Sequence, residues 1–139
     1  MCIRDRDKSL HYQVKSFASI YLENINGQFI SHELPLSAQL SSVNQILIDD
    51  YNRDGHLDAI IAGNLYSSEV ETPRNDASVG LFLAGNGKGS FDPWSPSKSG
   101  LKADGDVKDL AEIVVGGSTY VIAAKNSDYL QFIEVNNGN

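Results

Sequence analysis

Short apolar runs alternate along this chain with clusters of glycine, asparagine, aspartate, serine and proline. Within the runs the apolar positions recur at every second residue, the period that sends alternate side chains to opposite faces of an extended backbone. Strands are therefore expected in SFASIYLE (16–23), GQFISHEL (27–34), NQILIDD (44–50), DAIIAG (58–63), SVGLFLA (78–84), TYVIAA (119–124) and YLQFIEV (129–135). NGQ at 26–28 and GNGKG at 85–89 predict hairpin turns with residues at positive φ. One segment reads as helix-like: in DVKDLAEI (106–113), Val107, Leu110 and Ile113 would share a helix face. The fold class expected is all-β.

The strands repeat. VNQILID (43–49) lies over VKDLAEI (107–113) at an offset of 64, and IIAGN (60–64) lies over IAAKN (122–126) at an offset of 62. IYLENINGQF (20–29) resembles LFLAGNGKGSF (81–91) with one extra residue in the turn. A unit of about 62 residues built from some four strands has the size of a propeller blade with one long loop. The chain then reads as a partial β-propeller of about two and a half four-stranded antiparallel blades: a half blade (16–35), a full blade (43–95) and a shortened blade (107–136), after an unassigned segment (1–15). Propellers close with about 4–8 blades. The expectation is a fragment of a larger propeller; the other reading is a chain that pairs with further copies.

Composition narrows the function. The length of 139 residues suits one domain, and Asp+Glu 18 against Lys+Arg 11 leaves a net charge of -7. That balance argues against sequence-independent binding of nucleic acid, which needs a basic stripe, and fits a surface that attracts cations. Cys2 stands alone, so no internal disulfide is available. No apolar run approaches the ~20 residues of a membrane helix, and the start MCIRDRDKSLHYQ lacks the apolar stretch of a signal peptide. That start has the look of an accidental one.

Between two of the expected strands sits the densest chemistry. From Asp50 the spacing is D-x-N-x-D-G-x-x-D: Asp50, Asn52, Asp54, Gly55 and Asp58. Calcium takes 6–8 oxygen ligands, and its loops use alternating positions so that oxygens converge. Gly55 permits the sharp turn, and the carbonyl of His56 holds the seventh position, where EF-hand loops also use a carbonyl. An EF-hand is excluded, because its twelfth-position glutamate is replaced by Ile61 and the flanks read as strands. The five-residue set points to Ca²⁺ in a stapled hairpin turn; the bland alternative is a solvated turn with no metal. Asp49, adjacent on the strand, is expected to point away and to play a supporting part.

Other features are weaker. GNGKG lacks the Lys-Ser/Thr ending of a phosphate loop and opens no helix. The long polar loop 64–77 carries Tyr66, Glu69, Glu71, Arg74 and Asp76, and reads either as a binding loop or as one held by an internal Arg74–Asp76 lock. Trp94 reads as a packing residue at a blade edge, or as an exposed ring that stacks on a sugar. His11, His32 and His56 are scattered with no nucleophile motif nearby, so no catalytic residue is assigned and no enzyme is expected.

ILIDDYNRDGHLDAIIAGN (46–64), followed by VGLFLAGNGKGSF (79–91), resembles the FG-GAP/VCBS repeat family, the integrin-α-like β-propellers. The stretch 63–110, with R-x-D-A-x-x-G at 74–80 and G-D-V-K-D at 105–109, is similar to bacterial VCBS proteins related to cartilage acidic protein, often found with an ASPIC/UnbV segment. The resemblance covers about 16–136. It implies a secreted or surface propeller with Ca²⁺ in its inter-strand loops, used for adhesion or ligand binding. Its metal ligands carry over to Asp50, Asn52, Asp54, His56 (backbone) and Asp58. The last blade departs from the pattern, since EIVVGGSTYVIAA (112–124) replaces the loop, so one calcium is expected. Implied partners are the remaining blades of the same propeller and a protein or carbohydrate ligand, with no nucleic acid and no membrane insertion. The alternatives are purely structural blades of a larger extracellular protein, or part of a propeller enzyme.

Overall fold

A computed structural model describes residues 10–136, so residues 1–9 of the unassigned segment lie outside it. The chain is all-β; among the described residues there are three open antiparallel sheets in which every strand pairs with a sequence neighbour. The first sheet is β1 (Ile20–Ile25) and β2 (Gln28–Glu33). The second is β3 (Val43–Asp49), β4 (Asp58–Gly63), β5 (Leu81–Gly85) and β6 (Phe91–Trp94). The third is β7 (Val107–Val115), β8 (Ser118–Lys125) and β9 (Gln131–Val135). Each sheet thus falls inside one of the three segments of the internal repeat. β6 had no strand signal of its own, because Pro93 breaks its apolar alternation; it survives as an edge strand, where a missing N–H is tolerated.

The helix-like segment is strand. A bulge between Val107 and Asp109 inserts one residue into β7, so Val107 and Leu110 fall on the same buried face although three apart. That spacing mimics a helix. Among the described residues the helices are two single turns between strands: a 3-10 turn at Leu36–Gln39 and α1 (Pro96–Ser99). α1 starts on Pro96 and is closed by Gly100, whose N–H reaches the Pro96 carbonyl at 2.9 Å.

β4 positions everything else. Both its faces are buried along its whole length. Ile60 and Ala62, with Phe82 and Ala84 of β5, pack on Val107, Leu110, Val121 and Ala123 of the third sheet. On the opposite face Ala59, Ile61 and Leu83 pack with Ala38, Leu34 and Phe91. Phe91 meets Tyr21 of the first sheet edge-on, with centroids 5.9 Å apart. The second sheet is therefore the middle layer. Full burial of an aliphatic side chain such as Ile61 or Leu83 contributes about 1.5–3 kcal/mol. A two-sided strand has no polar alternation, which is why DAIIAG reads as a continuous apolar run.

The repeat is also geometric. β3 has a bulge between Val43 and Gln45, at the place equivalent to that in β7. The amide of Asn64 donates to the Ser42 carbonyl at 3.1 Å, and the amide of Asn126 to the Asp106 carbonyl at 2.9 Å, again at equivalent places. Leu22 and Phe29 of the first sheet and Phe132 of the third are exposed on the outward faces of the stack.

Candidate metal centre

β3 and β4 are in register up to the pair Asp49–Asp58, and the acidic turn fills the gap between these two residues. The turn holds its shape by feeding its amides to its own side chains. Asp50 accepts from the amides of Asp54 and Gly55, both at 3.0 Å. Asn52 accepts from the Asp54 amide at 2.9 Å, and Asp54 accepts from the His56 amide at 2.8 Å. Gly55 sits at φ +86°, a left-handed conformation that a side chain would strain. Arg53, a non-glycine residue at φ 60°, shares the turn.

Asp58 is different from the other acids. It is 0% exposed, and its carboxylate accepts from the Gly85 amide at 2.9 Å and the Asn52 amide at 3.1 Å. The first of these bonds reaches across to the start of the β5–β6 turn. Gly85 is obligatory there, since a Cβ would lie 2.0 Å from the Leu57 carbonyl oxygen. Asn52 Nδ2 lies 3.0 Å from Asp54 Oδ2 and 3.5 Å from Asp58 Oδ1, so an amide supplies the positive end of a dipole between two carboxylates. Among the described residues no cationic side chain pairs with Asp58. A buried carboxylate held by neutral donors alone keeps a desolvation cost that a cation would relieve.

The donor set fits calcium in kind: the Asp50, Asn52, Asp54 and Asp58 side chains and the His56 carbonyl supply oxygens within nine residues. Among the described residues no three acidic, histidine or cysteine side chains are gathered into a closed metal cage. The acids are engaged instead by the amides of their own turn. The His56 ring stands over the next hairpin: a Cβ on Gly87 would lie 2.5 Å from its Nδ1. Asp49 is exposed and accepts from the Asp50 amide at 2.8 Å, a supporting contact within the chain.

No family model, curated protein or solved structure matches this chain. The residues themselves are the ground for any reading of function. Among the described residues no helix is long and apolar enough to cross a membrane.

Tyr51 ties the acidic turn to the third sheet. Its hydroxyl donates to Glu112 Oε2 of β7 at 3.1 Å. Burial, and then the Glu112 charge, push the Tyr51 hydroxyl well above its usual pKa. Its ring meets Phe82 edge-on at 6.3 Å. The base of the hairpin is held by groups the sequence did not single out. Asn64, 1% exposed, donates to the carbonyls of Ser78 and Gly105 at 2.7 and 2.8 Å and accepts from the Ser41 hydroxyl at 2.6 Å. Asn44 Nδ2 donates to the carbonyls of Asn64 at 3.0 Å and Val107 at 2.7 Å, joining the second and third sheets. Only the recurrence of Asn64 and Asn126 in the repeat hinted at such a role.

Asp106, at 2% exposure, pairs with Lys108 Nζ at 2.7 Å and accepts from Asn126 Nδ2 at 3.2 Å. The Lys108 ammonium holds its carboxyl below the usual range against the opposing effect of burial. Asp104 is lowered likewise, first by its hydrogen bond to Lys125 at 3.1 Å. In the loop 64–77 the expected Arg74–Asp76 lock is replaced: the Arg74 guanidinium lies 5.0 Å from the centroid of the Tyr66 ring, and a bridge between Leu65 and Asn75 closes the loop. Trp94 packs on Phe82 with centroids 4.9 Å apart, under Lys98 Nζ at 3.8 Å. His32 pairs with Glu23 at 3.1 Å on the face of the first sheet.

Proposed function

We propose that this chain is a calcium-stabilised segment of a β-propeller of the FG-GAP/VCBS type, part of a secreted or surface protein that binds a ligand or mediates adhesion without catalysis. The observation that carries this reading is the buried Asp58 carboxylate, which closes an acidic turn and meets no cationic side chain among the described residues. Calcium here would neutralise clustered carboxylates and pin the turn between β3 and β4. Asp50, Asn52, Asp54, Asp58 and the His56 carbonyl would hold it. A second support is the stacking of like sheets face to face with the same bulge in consecutive units. A stack of that kind, with apolar outer faces, suits blades that continue with further blades of the same propeller. A protein or carbohydrate is the ligand class that the long loop 64–77 suits.

Calorimetry of the calcium-free protein tests the metal. One site is expected, absent in Asp54→Ala, with magnesium a poor substitute because it demands tighter octahedral geometry. No heat with calcium, or an unchanged isotherm in the variant, removes the proposal.

A further inference from the structure

The sequence GNGKG (85–89) does more than reverse the chain. Each of its three glycines stands where a neighbouring element comes close. A Cβ on Gly85 would lie 2.0 Å from the Leu57 carbonyl oxygen, and one on Gly87 would lie 2.5 Å from the His56 ring. Both neighbours belong to the acidic turn. Gly89 borders the opposite element: a Cβ there would lie 3.6 Å from Tyr21 Cε1 and 3.9 Å from Glu23 Oε2 of β1. The turn between β5 and β6 is thus held between the acidic turn and the first sheet. Its own hydrogen bonds brace it as a unit. Asn86 Oδ1 accepts from the amides of Lys88 at 2.8 Å and Ser90 at 3.2 Å, and the Asn86 amide donates to the Ser90 carbonyl at 3.1 Å.

We infer that this turn is a relay, through which the state of the acidic turn sets the packing between the first and second sheets. At the near end the Asp58 carboxylate holds the Gly85 amide at 2.9 Å, and His56 presents its ring to Gly87. In the proposed site His56 offers its carbonyl to the cation, so the ion and the ring act through one residue. At the far end Tyr21 lies beside Gly89 and meets Phe91 edge-on. Tyr21 also stacks on His32 with centroids 5.9 Å apart, and His32 pairs with Glu23 at 3.1 Å. Phe91 stands opposite Gly85 in the β5–β6 ladder, so one hairpin carries both ends. A rigid element passes a displacement on to whatever is packed against it.

The far contact has room to respond. A cavity of about 320 Å³ lies between Tyr21, His32 and Leu34 on one side and Gly89, Ser90 and Phe91 on the other. Close-packed groups yield little, whereas a junction beside a void can tighten or loosen. The trigger rests on the calcium reading; the link itself stands on the contacts of the turn. Such coupling is reciprocal, so loosening the contact at Tyr21 weakens binding at the acidic turn by the same factor.

Hydrogen exchange of the whole chain, with calcium and with chelator, reads the relay. Calcium is expected to slow the amides of 50–58 and, with them, those of β1 and β2. In Asn86→Ala, which removes the brace and none of the proposed ligands, calcium still slows 50–58 and no longer slows β1 and β2. Slowing confined to 50–58 in the parent overturns the inference. Slowing of β1 and β2 that persists in Asn86→Ala also overturns it, because the link then runs through the core that the sheets share. Tyr21→Leu should weaken calcium binding by about fivefold, and an unchanged affinity counts against the relay. If calcium slows nothing, the calcium reading fails by itself and the link is decided without the ion. His56→Ala and Tyr21→Leu, on opposite sides of the turn, are then combined in urea denaturation with chelator present. The unfolding constant of the double variant should depart from the product of the single effects by about twofold or more. Effects that simply multiply overturn the inference.

Discussion

The β3–β4 and β7–β8 hairpins start alike and end differently. Both have the bulge one residue into the first strand, the same register after it, and an asparagine amide closing the base. In the first, an eight-residue acidic turn (50–57) separates the strands. In the second, pairing runs on to Val115–Ser118, and Gly116 and Gly117 (φ 61° and 91°) make the two-residue turn. Asp58 has Tyr120 as its counterpart, and Asp49 has Ile113. Register in these hairpins is therefore set by the base and by packing on β4 and β8, which leaves the tip free to change. The first tip brings Asp50 and Asp54 next to Asp58 at an electrostatic cost, and the calcium proposal rests on that cluster.

The largest effect is expected from Asp58→Ala. It leaves the amides of Gly85 and Asn52 without an acceptor next to a fully buried site, at about 1–3 kcal/mol for each buried donor. A loss of about 3 kcal/mol in urea denaturation follows. Tyr120→Ala at the equivalent place should cost less, since it orphans no amide in this way. Parity between the two variants would break the comparison.

Next comes an exchange of tips. Replacing residues 50–57 with Val-Val-Gly-Gly-Ser-Thr, the sequence of 114–119, should leave the β3–β4 register intact. Calcium at a hundredfold excess over its dissociation constant should stabilise the parent by about 2.7 kcal/mol and the exchanged protein not at all. Thermal scans with calcium and with chelator read both. A calcium response that survives the exchange would place the ion elsewhere.

Tyr51→Phe gives the smallest effect, and it probes the contact between the two hairpins. The variant loses one hydrogen bond to Glu112, about 0.5–1.5 kcal/mol at neutral pH. The Tyr51 hydroxyl is raised in the folded protein, first by burial and then by Glu112. Its contribution is therefore complete below the ordinary tyrosine value of 10.0 and is lost as pH rises past it. Denaturation at about pH 7 and about pH 11 should show the gap between parent and variant closing on the alkaline side. A constant gap would mean that the hydroxyl is not the link.

Much of this was legible along the chain. The period of two gave an all-β chain, the offsets of 64 and 62 gave the repeat, and NGQ and GNGKG gave turns with Gly27 and Gly87 at positive φ. The acidic turn was visible because its chemistry is local: nine residues contain every donor. Less visible was anything that depends on a bulge. A single inserted residue turned β7 into an apparent helix face, because it made a spacing of three behave as two. The Arg74–Asp76 lock failed for a related reason, since proximity in sequence does not say which neighbour a guanidinium meets, and this one lies over the Tyr66 ring.

By itself, then, the sequence determined the strand class, the repeat length and the place of the acidic turn on which the calcium proposal rests, each a matter of local order. Tertiary structure alone decided which of the acids is buried, and that Asn64 and Asn44 tie the sheets together. It also decided that β4 has no solvent face and that a cavity lies between the first two sheets. These follow from what is stacked against a residue, and a strand's two faces are assigned only when the neighbouring sheets arrive.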